Sequence, residues 1–256
     1  MSNKVIYECQ ALTGSNKVGL LKPDANGYYE LVLGAYDFHN ESGAFYPLEP
    51  LKKLMENSSP LMRRIRDGYV KSECGHPRMT PGMSDRDFLM RVCDIHENNV
   101  CAHIKSIELD DERVMHNGQK VAAIIGMVKP SGPRGDALEK SLSNPDENVA
   151  FSVRSLTNDY WTPAGKLIKE VDEIITWDLV NQPGINVANK YKAPSLESFG
   201  FDLETVRDAA QKIKASGYGM ESANEILNNI LKERGVTPIR RHDERVGRKP
   251  LSSRWK

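Results

Sequence analysis

The hydrophobic pattern changes period several times along the chain. Residues 1 to 37 alternate, with aromatic and β-branched residues in VIYECQAL and GYYELVLGAYDF. This predicts two strands, with a turn at Pro23 to Gly27 between them. In LEPLKKLMENSSPLMRRIRD, residues 48 to 67, Leu48, Leu51, Leu54 and Met55 recur at helical spacing. Pro60 should break or restart that helix, because proline has no N–H for the ladder. GYVKSECGHP then predicts a short strand running into a turn. Residues 84 to 128 read as strands, with VCAHIKSIEL and KVAAIIGMV flanking a hairpin turn at Asn117-Gly118. After the loop KPSGPRGD, a short helix is expected from Asp136 to Leu142. The strand VAFSVRSL follows, and then a long strand in LIKEVDEIITWDLVNQPG that stops at Pro183.

Near Lys190 the pattern changes again. KYKAPSLES is polar and proline-containing, as a linker is. Two helices are expected near 201 to 215 and 220 to 234, separated by SGYG. The expected fold class is therefore α+β: a β-rich body with a C-terminal helical extension. The expected division is a body at 1–192, a linker at 193–200, and a helical hairpin with a tail at 201–256.

Composition narrows the function classes. With 256 residues, 39% of them hydrophobic, the chain can bury a core. Its formal net charge is zero, so nothing global calls for nucleic acid or a membrane surface. The exception is the tail from Val236, where Arg240, Arg241, Arg245, Arg248, Lys249, Arg254 and Lys256 face only Asp243 and Glu244. No stretch is apolar enough to span a membrane, and MSNKVIYECQ lacks a signal peptide's apolar core. The expectation is a cytosolic protein whose four cysteines are free thiols.

Two chemistries compete. Ser152 stands in a strand between Phe151 and Val153, and a serine there becomes a nucleophile only with a base within hydrogen-bond reach. Of six histidines, His76 is placed best, since Gly75 and Pro77 hold it on a stiff turn. The rival is zinc. Cys74-Gly-His76, Cys93-Asp-Ile-His96 and Cys101-Ala-His103 bring three Cys/His pairs close together, though no Cys-x₂-Cys occurs. Cys93 and Cys101 read equally well as small buried strand residues.

ECGHP at 73–77 together with FSVRS at 151–155 resembles the prohead maturation serine proteases of tailed bacteriophages, in their T4-type and giant-phage branch. That family is related in fold to the herpesvirus capsid assembly proteases, which implies an antiparallel, β-barrel-like core flanked by helices. Its Gly-Glu-x-x-His-Pro stretch matches Glu73, His76 and Pro77, with Ser72 where the family has glycine. Its Val-Ser-Ser-Arg stretch matches Ser152 and Arg154. NESGAFYP at 40–47 and WDLVNQPGINVA at 177–188 resemble the family's flanking segments, in the same order.

The resemblance implies an endopeptidase needing no cofactor, with Ser152 as nucleophile and His76 as general base. Arg154, on the same strand face as Ser152, or backbone N–H groups near it, would stabilise the oxyanion; an ordinary surface ion pair is the plainer reading. The third member is open between Asp178 and Glu108. The family cuts after glutamate, in one branch at Ser-x-Glu, and Ser195-Leu196-Glu197-Ser198 lies in the expected linker. Self-cleavage between Glu197 and Ser198 would then release the hairpin and basic tail from a zymogen; Met220-Glu221-Ser222 fits that pattern less well. The implied partners are phage capsid and scaffold proteins, met inside the immature prohead in the host cytoplasm, and a homo-oligomer is compatible. An inactive prohead core protein and a Cys/His metal-binding module remain as alternatives.

Overall fold

The computed structural model describes residues 4–14, 21–39, 44–112, 115–116, 119–120, 122–144, 147, 149–180, 199–216 and 221–236. The first strands are β1 (Lys4–Gly14), β2 (Tyr29–Tyr36), β3 (Phe38–His39) and β4 (Phe45–Tyr46). Helices α1 (Leu48–Leu54) and α2 (Pro60–Arg66) follow, then β5 (Lys71–Glu73) and helix α3 (Asp85–Cys93). Next come β6 (Val100–Asp110), the small hairpin β7 (Met115–His116) and β8 (Gln119–Lys120), and β9 (Ala122–Pro130). The order ends with α4 (Gly135–Ser143), β10 (Val149–Trp161), β11 (Leu167–Val180), β12 (Phe199–Asp202), α5 (Leu203–Ser216) and α6 (Glu221–Glu233). Among the described residues no helix is long and apolar enough to cross a membrane.

One sheet has the order β12-β1-β10-β11-β4-β3, and a second β2-β9-β6-β5. Among the described strands the ladders are antiparallel except between β11 and β4. The sheets meet where β5 runs beside the C-terminal half of β11. There Cys74 and Leu179 form a parallel bridge, Gly75 N donates to Leu179 O at 2.7 Å, and Thr176 Oγ1 donates to Lys71 O at 2.7 Å. This seam curls the pair into a half-barrel, and the fold is α+β as expected. Leu33, Ile104, Ile124, Phe151, Val153 and Trp177 fill the core between the sheets.

One expectation changes. Residues 85–93 form α3, not a strand. Ser84 caps it, with Oγ accepting from Asp87 N at 3.2 Å, and Phe88, Leu89, Val92 and Cys93 are its buried face. The C-terminal helices pack against this body. Val206, Ala209, Ile213, Ile226, Leu227 and Ile230 share a second core with Phe88, Leu89 and Val92 of α3, Leu156 of β10 and Ile175 of β11. Two residues of the expected linker, Phe199 and Gly200, pair with Tyr7 and Ile6 of β1, while Glu197, Ser198 and the basic tail lie outside the described residues.

Candidate active site

Strand alternation sets the site. On β10, Phe151 and Val153 point into the core between the sheets, so Ser152 and Arg154 point to the opposite face. On β11 the partner of Ser152 is Asp178, directly across the ladder. Such a pair places its Cβ atoms about 4.5–5.5 Å apart. Ser152 is 3% exposed and Asp178 is fully buried.

The seam brings His76 to the same place. Cys74 N donates to Asn99 O at 2.9 Å, and Gly75 N to Leu179 O, one residue past Asp178. Between them Gly75 turns with φ +78°, a conformation that any residue with a Cβ would hold only under strain. The turn lays the His76 ring on Asp178, with Nδ1 at 2.8 Å from Oδ2.

Asp178 is the hub. Arg154 donates from Nε to Oδ2 at 2.8 Å and from Nη2 to Oδ1 at 2.7 Å, and Glu73 N donates to Oδ1 at 3.2 Å. Burial alone would raise this carboxyl, but the Arg154 charge, the His76 hydrogen bond and the remaining contacts hold it below the ordinary aspartate value. An ionised carboxylate only accepts, so Nδ1 carries the ring proton and Nε2 carries the lone pair. Ser152 Oγ and His76 Nε2 have no hydrogen-bond partner among the described residues, and no hydrogen bond joins them. Neither is sealed away as the unpaired Ser72 Oγ is.

Arg154 is fully buried, which excludes a surface ion pair. Its five N–H groups are all directed. Besides the two bonds to Asp178, Nη2 lies 3.2 Å from Glu73 Oε1, and Nη1 donates to Val92 O at 3.3 Å and Asp94 O at 3.0 Å. The last two acceptors sit at the C-terminal end of α3, where a cation is favoured. These contacts turn the Arg154 donors toward Asp178, Glu73 and the carbonyls of α3.

Glu73, unassigned by sequence reasoning beyond its match to a motif, stands behind Arg154. It is fully buried and receives Arg91 Nη1 at 3.0 Å and His96 N at 2.9 Å. Burial pushes its carboxyl up, but the Arg91 hydrogen bond and the Arg154 charge bring it below the ordinary glutamate value. The Glu-x-x-His spacing was the available signal, since it holds Glu73 at the end of β5 beside the His76 turn. Glu108 is elsewhere. It is exposed on β6, eight residues beyond the Val100 that pairs with Glu73, or about 26 Å along the strand.

The Cys/His pairs disperse. Cys93 ends α3 in the second core, where burial pushes its thiol up to about 12. Cys101 donates to Ser72 O in the first core, and His103 Nδ1 lies 3.0 Å from Tyr28 Oη. Among the described residues no three His, Cys, Asp or Glu side chains form a group able to hold a metal ion.

Comparison with known proteins agrees with the sequence motifs. Residues 7–232 match the model of the Peptidase S80 family, a span that takes in β12, α5 and most of α6. The chain is 39% identical over 209 residues to the capsid maturation protease of Pseudomonas phage phiKZ, covering 80% of this chain and 76% of that one. It also resembles the solved structure of the bacteriophage T4 capsid assembly protease, gp21, at 14% identity and TM-score 0.47, over 69% of this chain and 98% of that one.

Proposed function

The chain belongs to the Peptidase S80 family of phage capsid maturation proteases, and from that premise we propose that it is a serine endopeptidase acting in phage head maturation. The observation that carries the assignment is one ladder position: Ser152 faces Asp178, and Asp178 holds His76 by Nδ1. Ser152 Oγ attacks the scissile carbonyl while His76 Nε2 takes its proton. Asp178 fixes the ring's tautomer and stabilises the imidazolium. The C–N bond breaks as His76 returns the proton to the leaving amine, leaving an ester on Ser152. Water, deprotonated by the same nitrogen, hydrolyses it. Because Arg154 is committed to Asp178, oxyanion stabilisation falls to backbone N–H groups. The curled sheets are compatible with a herpesvirus-protease-like barrel.

The substrates in this reading are capsid and scaffold proteins of the immature prohead, cut after glutamate at Ser-x-Glu sites. Ser195-Leu196-Glu197 makes the chain its own substrate, as a zymogen. The packing of α5 and α6 argues for a cut without release: the bond after Glu197 breaks, but the fragment stays docked through β12 and the second core. The basic tail then remains available to bind acidic scaffold segments.

The test is Ser152→Ala in the full chain. The wild type should process a Ser-x-Glu peptide and itself, read by intact mass, and the variant should do neither while keeping its circular dichroism spectrum. Cleavage by the variant would overturn the nucleophile assignment. A wild type inert on prohead proteins would leave the chain a structural core protein.

A further inference from the structure

We propose that Glu73 is a positioning residue that sets the basicity of His76 through Arg154, without touching the ring or the substrate. The inference rests on the reading of Ser152, His76 and Asp178 given above.

The groups stand in a row of alternating sign. His76 contacts Asp178, Asp178 contacts Arg154, Arg154 contacts Glu73, and Glu73 contacts Arg91. Arg154, Glu73 and Asp178 are buried without exposure, so little water screens them. Asp178 can stabilise a protonated His76 only through its negative field. Arg154 grips both its oxygens and so weakens, without cancelling, the negative field the ring feels. Glu73 lies 3.2 Å from Arg154 and offsets part of the guanidinium charge, which strengthens that field at His76. Arg91, one step further out, partly cancels Glu73.

The remaining charged groups around this row are mostly paired or distant from the ring. On β5, Lys71 pairs with Glu97 at 2.8 Å. In the loop after α3, His96 Nε2 lies 3.7 Å from Asp94 Oδ2, and Asn99 Nδ2 reaches Glu73 Oε2 at 3.5 Å. From β5 and β6, Cys74 and Cys101 supply thiols, and burial raises that of Cys101. On α3, Arg91 is the charge directed at Glu73, and its Nη1 also donates to Asp94 O at 3.0 Å.

The geometry makes opposite-sign predictions for two neighbours. Removing the Glu73 charge exposes Arg154 to the ring and should make His76 less basic. Removing the Arg91 charge strengthens Glu73 and should make His76 more basic. A carboxylate that merely tied α3 to β5 would lower activity in both variants and move neither titration.

The experiment uses full-length Glu73→Gln and Arg91→Gln, with two readouts. The first is kcat/KM on a Ser-x-Glu peptide from pH 5 to 9. The second is an NMR titration of the His76 imidazole in a Ser152→Ala background. In Glu73→Gln the acid limb should move down by about one pH unit or more, and in Arg91→Gln up by a smaller amount, since at an effective dielectric near 20 one unit corresponds to a single charge about 12 Å away. Shifts of the same sign, or none, overturn the proposal. If Glu73→Gln does not fold, Arg91→Gln decides by itself, since its side chain lies at the edge of the network, 13% exposed. Persistent cleavage by Ser152→Ala sinks the catalytic reading, while the NMR titration still judges Glu73.

Discussion

Asp178→Asn is the sharpest single perturbation. The carboxylate accepts four bonds: two from Arg154 at 2.7 and 2.8 Å, one from His76 at 2.8 Å and one from Glu73 N at 3.2 Å. An amide has one acceptor oxygen, so its NH₂ must face some of these donors. It also leaves the buried Arg154 with only Glu73 to balance it. Breaking a buried ion pair by removing one partner costs ~3–5 kcal/mol. For a domain of this size, each kcal/mol lowers Tm by roughly 2–4 °C, so the expected loss is roughly 6–20 °C.

The catalytic effect has a separate cause. If the amide NH₂ meets Nδ1, the ring proton moves to Nε2, and the nitrogen that should accept the serine proton becomes a donor. The analogous change in a Ser-His-Asp protease costs about 10⁴ in kcat, and a similar loss is expected here. The assay is cleavage of a fluorogenic Ser-x-Glu peptide at a temperature where calorimetry shows the variant folded. Glu108→Gln is the control; exposed and far from the seam, it should stay within about twofold of wild type, as surface substitutions usually do. A folded Asp178→Asn enzyme within tenfold of wild type would refute the role given to Asp178.

Two further outcomes follow from the packing. Self-cleaved enzyme should migrate as two chains on a denaturing gel but elute as one species under native conditions, because seven large apolar side chains, Phe201, Val206, Ile213, Ile226, Leu227, Ile230 and Leu231, are buried in the second core, each worth ~1.5–3 kcal/mol. Elution of the fragment as a separate peak refutes this. Stability should also rise as pH falls from 8 to 6. Burial pushes Glu173 from 4.5 up to about 7, against the opposing charge of Arg64, so its folded pKa lies above the unfolded one. Its contribution is therefore complete below the unfolded value and is lost as pH rises through about 7. Glu173→Gln should flatten that limb in a thermal-shift series, and a Tm that is flat or falling from pH 8 to 6 in the wild type contradicts it. Below about pH 4 stability should fall again, because Asp178 and Glu73, depressed in the folded state, lose their contribution as pH falls from the ordinary carboxylate values through their lower folded ones.

Much of the site was legible because it depends on local rules. Alternation in VAFSVRS put Ser152 and Arg154 on one face, and Gly75-His76-Pro77 marked a stiff turn. The C-terminal helices were legible as helices, but their packing against the body was not. The clue was that Val206, Ala209, Ala210 and Ile213 on α5, with Ile226, Leu227, Ile230 and Leu231 on α6, make more apolar surface than two helices can hide from each other. Phe199-Gly-Phe201, across the end of the expected linker, is a short alternating run, and it forms β12.

The missed helix α3 also bears on how Arg154 reads. Periodicity says which side chains share a strand face; it does not say what covers that face. In SDRDFLMRVCDIH the apolar residues run straight into the following strand, so the segment reads as β, although Ser84 and Asp87 carry the spacing of a helix cap. Without α3 the face bearing Arg154 looks open to water, and a guanidinium there suits a surface ion pair or an oxyanion. With α3 in place, Val92 and Asp94 offer Arg154 their carbonyls from 62 and 60 residues away, and Arg91 delivers a charge to Glu73. The surroundings of Arg154 therefore depend on a contact between distant segments, and the local cap signal at Ser84 points only to the helix that makes it.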